Sequence, residues 1–472
     1  MSALNPADAV LLERLSAALG PGGVVPAEPR YLEEPRGRFA GRAAAVLRPA
    51  STEAVAAAVA ICAEARTGII PYSGGTGLVG GQVMGEGPLP VVLSFERMNR
   101  IRDVDLADGV MIVEAGCVLA DVHAAAAAAG RVFPLTLASE GSARIGGLLG
   151  TNAGGVNVLR YGNARDLCLG VEAVMADGSV MHGLRRVAKD NMGYDLRHLL
   201  IGSEGTLGLI TAASLRLHPR PGETATAWAA VASPDAALAL LNALRDALGG
   251  TISAFELIGV EGLAFLAEKM PSVPQPPAMG TDWRVLVEAA DAAGAGTRAR
   301  LEAALMAGLE AGGVAEVLVA QSEAQRAVFW GVRETIPEAN RLVGAISSHD
   351  ISVPPARIGE FVARGAPLVA RFDPELRINC FGHLGDGNLH YNVFPPQGRS
   401  RALYDSLRAP VKRAVYDLVH ELGGSVGAEH GVGRLKVEDL VRYGDPAMVA
   451  AMRAIKAALD PQGVLNPGAV LA

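Results

Sequence analysis

Cysteine is scarce in this 472-residue chain: Cys62, Cys117, Cys168 and Cys380 stand far apart and form no CxxC pair. That excludes a zinc ribbon and a disulfide framework, and reduced thiols point to a cytoplasmic protein. Positive charge is concentrated nowhere, and the net charge of −7 has the wrong sign for binding nucleic acid. No charge-free apolar run is long enough to span a bilayer. Residues 1–19 carry Asp8, Glu13 and Arg14 inside their apolar pattern, which is wrong for a signal peptide. Half of the residues are hydrophobic, so large cores can form. The length exceeds what one core usually serves, so two or three domains are expected.

What is plentiful is glycine, and the 57 glycines cluster rather than scatter. A strand at 45–49 and a helix at 52–66 lead to a short strand at Ile69-Ile70-Pro71 and the first block, Ser73-Gly-Gly-Thr-Gly-Leu-Val-Gly-Gly81. The second block occupies 134–147 and continues through Asn152-Ala-Gly-Gly155 to Arg160-Tyr-Gly162. The third is Gly202-Ser-Glu-Gly-Thr-Leu-Gly-Leu-Ile210. Such loops let backbone N–H groups approach phosphates without interference from Cβ. They match neither the Walker loop nor GxGxxG. A single block is as well explained by a tight turn; three of them favour a bound phosphate-bearing group. The strand–helix alternation suits an α/β domain, and the Pro/Gly cluster at 217–222 is the best boundary. Beyond it, strands at 227–232, 283–290 and 314–320 alternate with amphipathic helices at 235–248 and 297–311. That texture predicts an antiparallel sheet carrying helices on one face.

The chemistry concentrates in Phe381-Gly-His-Leu-Gly-Asp-Gly-Asn-Leu-His-Tyr-Asn392. Asp386-Gly387 suits a type I′ hairpin, whose central positions both need φ > 0. With the turn there, Gly385 faces Asn388, Leu384 faces Leu389 and His383 faces His390, at roughly 4.5–5.5 Å between Cβ atoms. Asn392 falls on the same face, and both leucines point the other way. Downstream, Gly427-Ala-Glu-His-Gly-Val-Gly433 adds Glu429 and His430. Two imidazoles and a carboxylate are a common catalytic-metal ligand set, although histidines beside glycines also occur in ordinary turns. His420, ending a helical pattern over 410–422, suits a helix C-terminus.

Taken together, Pro71-Tyr-Ser-Gly-Gly-Thr-Gly-Leu-Val-Gly-Gly81, Ile145-Gly-Gly, Asn152-Ala-Gly-Gly, Arg160-Tyr-Gly, Gly202-Ser-Glu-Gly-Thr-Leu-Gly and Leu465-Asn-Pro-Gly468 resemble the FAD-linked oxidases of the vanillyl-alcohol oxidase/p-cresol methylhydroxylase superfamily. Within it, Gly382-His-Leu-Gly-Asp-Gly-Asn-Leu-His390 and Glu429-His-Gly431 are similar to the D-2-hydroxyacid dehydrogenase branch, which acts on D-2-hydroxyglutarate and D-lactate. The resemblance runs in order from about residue 30 to the C-terminus. It implies an α+β protein: a two-subdomain FAD-binding PCMH-type domain over 1–222, and a cap domain over 223–472 with an antiparallel sheet covered by helices. The last segment, about 460–472, is expected to return to the flavin.

The resemblance assigns to FAD Tyr72, Ser73, Gly74, Gly75, Thr76, Gly77 and Leu78 of the first block. From the second it takes Pro134, Ala138, Gly141, Ser142, Ile145, Gly146, Gly147, Asn152 and Gly155. Glu204, Gly205, Gly208 and Ile210 of the third block and Asn466 complete the set. No histidine stands in or just ahead of the first block, so non-covalent FAD is expected. The family pattern makes His383, His390 and Glu429 ligands of a divalent metal, zinc or manganese. His430 then takes the hydroxyl proton, for which an ordinary pKa near ~6.5 is suitable. Arg333 holds the substrate carboxylate, Asn392 hydrogen-bonds substrate, and hydride passes from C2 to flavin N5 to leave a 2-oxo acid. The implied partners are a small 2-hydroxy acid and an electron acceptor such as electron-transfer flavoprotein, a quinone or a cytochrome. A homodimer is compatible with this.

Two positions depart from the D-2-hydroxyglutarate pattern. Ser348 stands where those enzymes carry a lysine, ahead of His349-Asp-Ile-Ser-Val-Pro354, and Pro337 stands where some carry a threonine. Losing a cation weakens a distal-carboxylate site by roughly 1.5–3 kcal/mol. The substrate therefore stays open between D-2-hydroxyglutarate and a smaller acid such as D-lactate, 2-hydroxybutyrate or malate, with His349 a partial substitute for the lysine. Two other classes compete. A metal-dependent hydrolase would use the same His/His/Glu set but leaves the glycine blocks unexplained. A flavin subunit of a glycolate-oxidase-type complex would not need the full metal set.

Overall fold

The computed structural model describes residues 4–471; residues 1–3 and 472, the tips of the N-terminal segment and of the two expected domains, lie outside the described residues. The chain divides into two compact units. The first comprises the chain up to Gly155, residues 162–220 and residues from Glu429 onward; the second comprises residues 156–161 and 221–428. The return to the first unit thus begins at Glu429, some thirty residues before the expected 460. The reason is visible in the hydrogen bonds of the 431–434 stretch, all made inside the first unit and described below.

Two larger sheets and a two-stranded ladder of Arg131–Val132 with His218–Pro219 build the first unit. In one, Val46–Leu47, Val91–Ser94 and Ile69–Tyr72 run parallel, with Val24–Val25 antiparallel at the edge. The helix Thr52–Ala65 packs Val55, Ala58, Val59 and Cys62, at i, i+3, i+4 and i+7, into the core beside this sheet. Ser51 caps its start by accepting the Ala54 N–H, and Arg66 ends it at φ 55°. The other sheet is antiparallel, in the order Ile101–Asp105, Val110–Glu114, Leu209–Arg216, Cys168–Val174, Val180–Gly183.

The C-terminal segment is stitched into the first sheet. Ile69 N–H donates to Val464 O, and Asn466 N–H to Ile69 O. The turn after the helix Pro446–Leu459 is locked by buried Asp460, which accepts the N–H groups of Val464 and Leu465 and pairs with Lys456. Lys456 Nζ also donates to Thr206 O and Leu465 O. Burial holds the Lys456 ammonium below its usual pKa, so its partners keep a poorly hydrated charge in place.

The second unit is one antiparallel sheet of seven strands, ordered Val314–Val319, Glu223–Val231, Trp283–Asp291, Ile252–Gly259, Arg377–His383, Asn388–Phe394, Ser347–Ser352. Helices cover both faces, not one. Tyr391 meets Phe361 of Ile358–Ala370 and His349 meets Tyr416 of Arg408–Glu421 on one side. On the other, Phe394 meets Phe265 of Val260–Lys269, and Asn379 bonds Asn340 of Glu323–Val343. The central strand Ile252–Gly259 is buried at every residue, where a one-sided sheet would alternate.

The histidine hairpin differs from the sequence-based register. Phe381 lies opposite His390 and Cys380 opposite Tyr391. Only Gly387 takes positive φ (83°), and Leu384–Asp386 form a short 3₁₀ turn. Asp386 stays out of the left-handed region and uses its side chain instead, accepting the Asn388 N–H. The slip is by two residues, so every side chain keeps its expected face. His383 and His390 become diagonal neighbours instead of opposed ones.

Within the first unit, Asp460→Ala leaves the Lys456 ammonium buried without its anion. It is expected to cost about 3–5 kcal/mol, read by calorimetry as a lowered transition of that unit.

Candidate active site

In the first unit the three glycine blocks converge on one open cleft. Tyr72 to Gly77, Gly146, Gly147, Glu204, Gly205, Gly208, Ile210 and Asn466 line it, and His430 joins them. Gln82 and Arg144 are lining residues that the sequence did not single out. The first loop is held open by its neighbours: Ser73 Oγ accepts the Gly147 N–H at 3.0 Å, and Gln82 Nε2 donates to Gly77 O at 2.7 Å. Gly74 has no room for a side chain, since a Cβ there would collide with Ser142 O and come within 3.0 Å of Ala143 Cα. A long, glycine-walled cleft with few side chains intruding fits a dinucleotide whose phosphates meet backbone N–H groups.

Leu78, Pro134, Ala138, Gly141, Ser142, Ile145, Asn152 and Gly155 are not among the lining residues. Ile145 is buried with its N–H on Cys117 O; Asn152, at φ 50°, accepts the Arg165 N–H with its side chain. A Cβ on Gly155 would strike the Thr136 carbonyl, so this glycine serves backbone packing.

Glu204 does more than line the cleft. Its buried carboxylate accepts Val432 N–H at 2.7 Å and Gly433 N–H at 2.9 Å. Burial pushes its pKa up, and the backbone donors only partly offset that. Arg434 completes the latch, donating to Gly80 O, Gly81 O, Asn466 Oδ1 and Pro467 O. Asn466 gives its own Nδ2 to Glu204 O. The loop carrying His430 and the C-terminal Asn466 are therefore fixed by one buried acid and one half-buried arginine. Arg434 was not legible in the sequence, because nothing near it marks an arginine as a backbone clamp.

In the second unit one face of the sheet collects polar groups. The registers put Glu256 opposite His383, Phe381 opposite His390, His390 opposite Asp350, and Asn392 opposite both Asn379 and Ser348. The rings of His383 and His390 lie 5.9 Å apart, nearly perpendicular at 78°. Glu256 was missed by the sequence reading, though a lone carboxylate in the apolar run Ala254-Phe-Glu-Leu-Ile258 was a signal. It is fully buried, with Oε1 2.6 Å from His383 Nδ1 and Oε2 accepting Arg333 Nε at 2.6 Å. Burial alone would raise the Glu256 pKa, but the charges and hydrogen bonds of His383 and Arg333 outweigh it and hold the group down at about 2.

Arg333 is 6% exposed, not the solvated residue its amphipathic helix suggests on sequence alone. Its guanidinium carbon stands 4.9 Å over the Phe381 ring. Among the described residues only its Nε has a hydrogen-bond partner, so both Nη groups keep their donors. Asn392 Oδ1 accepts the His349 N–H at 3.2 Å. His349 cannot stand in for a lysine on this face. It belongs to the opposite one, buried, with Nδ1 2.5 Å from Tyr391 O and Nε2 2.8 Å from Ser347 Oγ. Glu429 is the residue at which the chain leaves this unit; the Ala428 N–H just before it donates to Asp350 O.

Residues 220–470 match the family described as FAD linked oxidases, C-terminal domain, and residues 43–183 the family described as FAD binding domain. The mitochondrial D-2-hydroxyglutarate dehydrogenase of Bos taurus is 36% identical over 99% of this chain and 84% of its own length. That of Arabidopsis thaliana is 36% identical over 92% of the chain and 76% of its length. The D-2-hydroxyglutarate dehydrogenase of Stutzerimonas stutzeri is 33% identical over 98% and 99%. Among solved structures, p-cresol methylhydroxylase with substrate bound shares the fold, with a TM-score of 0.76 at 16% identity over 99% of this chain and 98% of that one. These relatives overturn the cytoplasmic assignment: several are named mitochondrial and others are bacterial. The four cysteines are free and buried. Among the described residues, no helix is long and apolar enough to cross a membrane.

Gly74→Ala forces the first glycine loop away from the Ser142 carbonyl. FAD retention is expected to weaken by about tenfold or more, some 1.4 kcal/mol, measured as the ratio of flavin to protein after gel filtration.

Proposed function

The chain belongs to the FAD-linked oxidases, among the D-2-hydroxyacid dehydrogenases of the vanillyl-alcohol oxidase/p-cresol methylhydroxylase superfamily, and from that premise we propose that it oxidises D-2-hydroxyglutarate to the 2-oxo acid with a divalent metal, zinc or manganese, beside non-covalent FAD. It is an FAD-dependent oxidoreductase acting on a D-2-hydroxy acid; the substrate, the metal and the residue roles are the proposal. The FAD supplies a two-electron acceptor for the hydrogen at C2, and the metal a Lewis acid that lowers the pKa of the substrate hydroxyl.

The observation that carries the reading is Glu256. By engaging His383 Nδ1 it leaves Nε2 as the ligating nitrogen, the arrangement that metal-binding imidazoles use to fix tautomer and ring direction. His390 faces His383 within the same unit, and Glu429 follows directly after the residue bonded to Asp350. The donor set of two imidazoles and one carboxylate suits zinc or manganese and leaves positions for a chelating hydroxy acid.

The chain's own groups then divide the work. Arg333 is oriented by Glu256 through Nε and offers its Nη pair to the substrate carboxylate, the fork such a group needs. His430, held in the cleft wall by the Glu204–Arg434 latch, takes the hydroxyl proton. Asn392 steadies substrate through its amide nitrogen, its oxygen being used by His349.

A second reading, a shorter D-2-hydroxy acid such as D-lactate or malate, is favoured by Ser348. Its register opposite Asn392 puts a hydroxyl, not a cation, on the polar face. An electron-transfer flavoprotein, a quinone or a cytochrome serves as the acceptor.

Anaerobic mixing with a panel of D- and L-2-hydroxy acids is expected to bleach the flavin with D-2-hydroxyglutarate and not with its L-enantiomer. Faster bleaching by D-lactate would move the assignment to the second reading. A chelator, or His383→Ala, is expected to slow bleaching by at least ~10²-fold, and undiminished bleaching would remove the metal from the reading. Glu256→Gln, which frees both Arg333 and His383, is expected to lower kcat/KM by about 10–100-fold while leaving flavin content unchanged.

A further inference from the structure

Two cross-strand pairs in the seven-stranded sheet set a carboxylate directly opposite an imidazole. One is Glu256 with His383, joined at 2.6 Å. The other is Asp350 with His390. Directly opposed residues emerge on one face with Cβ atoms about 4.5–5.5 Å apart, well within reach of an aspartate and an imidazole. His390 has a second register partner, Phe381, whose ring centroid lies 4.9 Å from its own. The imidazole is therefore flanked by an aromatic ring on one strand and a carboxylate on the next.

Asp350 is built to stay in place. It is 5% exposed, and its Oδ1 accepts Asn388 Nδ2 at 3.0 Å. The same amide donates to Ile351 O at 2.8 Å, and the Asn388 N–H donates to Asp386 Oδ1 at 3.1 Å. The turn that joins the two histidine strands thus also fixes the acid beside the second histidine. The chain Asp386–Asn388–Asp350 costs the sheet one buried carboxylate at Asp350, which an apolar residue would avoid.

We infer that Asp350 is the positioning residue for His390. Its carboxylate takes the imidazole N–H not used for ligation, fixing tautomer and ring direction as Glu256 does for His383. Each imidazole then has its own acid from a neighbouring strand, and the pair is presented to one ion without relying on loops. This rests on the reading of His383, His390 and Glu429 as metal ligands. Asp350 itself ligates nothing, so its loss weakens the site without abolishing it.

The test measures Zn²⁺ affinity of the flavin-loaded, metal-stripped enzyme by competition with a chromophoric chelator. Asp350→Asn, which keeps size and an oxygen for Asn388, is expected to raise the Zn²⁺ Kd by about 10–100-fold at unchanged flavin content. Asn388→Ala leaves acid and imidazole in place but removes the amide that holds the acid, and is expected to raise Kd severalfold. A Kd within twofold of wild type in Asp350→Asn overturns the inference. If that variant does not fold, the Asn388→Ala value decides in the same way. His383→Ala is the control for the underlying reading: wild-type Zn²⁺ affinity there would show that these residues do not form the metal site, a result distinct from failure of Asp350 alone.

Discussion

One buried carboxylate organises the polar face of the second unit. Glu256 stands in the middle of a strand whose every residue is buried, a place where an unpaired charge would cost several kcal/mol. It is tolerated because a guanidinium and an imidazole share it, each at 2.6 Å. The pairing acts in both directions. It keeps Glu256 ionised down to about pH 2, and it fixes where Arg333 and His383 can point. A rigid sheet is a better place for such a triad than a loop, because neighbouring strands over-determine each side chain.

The first unit relies on a different device. Its cleft is walled mostly by backbone, which can approach a cofactor closely but cannot by itself hold a histidine in place. Glu204 and Arg434 supply that rigidity through hydrogen bonds to main-chain groups. Glu204 is buried and Arg434 half-buried, and lost hydration drives their pKa values toward neutrality from opposite sides, Arg434 to about 10. Charged groups here serve as fasteners for glycine-rich backbone that has little packing of its own.

Much of this was legible in residue order. The glycine blocks, the helix beginning at Thr52 and the shared face of His383, His390 and Asn392 follow from local chemistry and from a period of two. What escaped were features set by partners distant in sequence. Glu256 meets His383 across 127 positions, and Glu204 meets Val432 across 228; the apolar run around Glu256 marks it as unusual, but nothing local names either partner. The turn geometry failed for a local reason, since Asp386 satisfied a backbone N–H with its side chain instead of adopting φ > 0. The shared face survived because a register error of two leaves each side chain on its own side of the sheet.

The chain's late return to its first unit has a consequence for how the protein is made. Ile69 acquires its neighbours Val464 and Asn466 only once the chain has been made through residue 466, and the Glu204 and Arg434 latch waits for residues 432–434. Until then the nascent first unit carries an unpaired strand edge and an unfastened cradle. The second unit, encoded between, can fold on its own strands first. Fastening of the cradle therefore depends on closing a very long loop, a contact of the kind that forms slowly and leaves the open edge exposed to aggregation meanwhile.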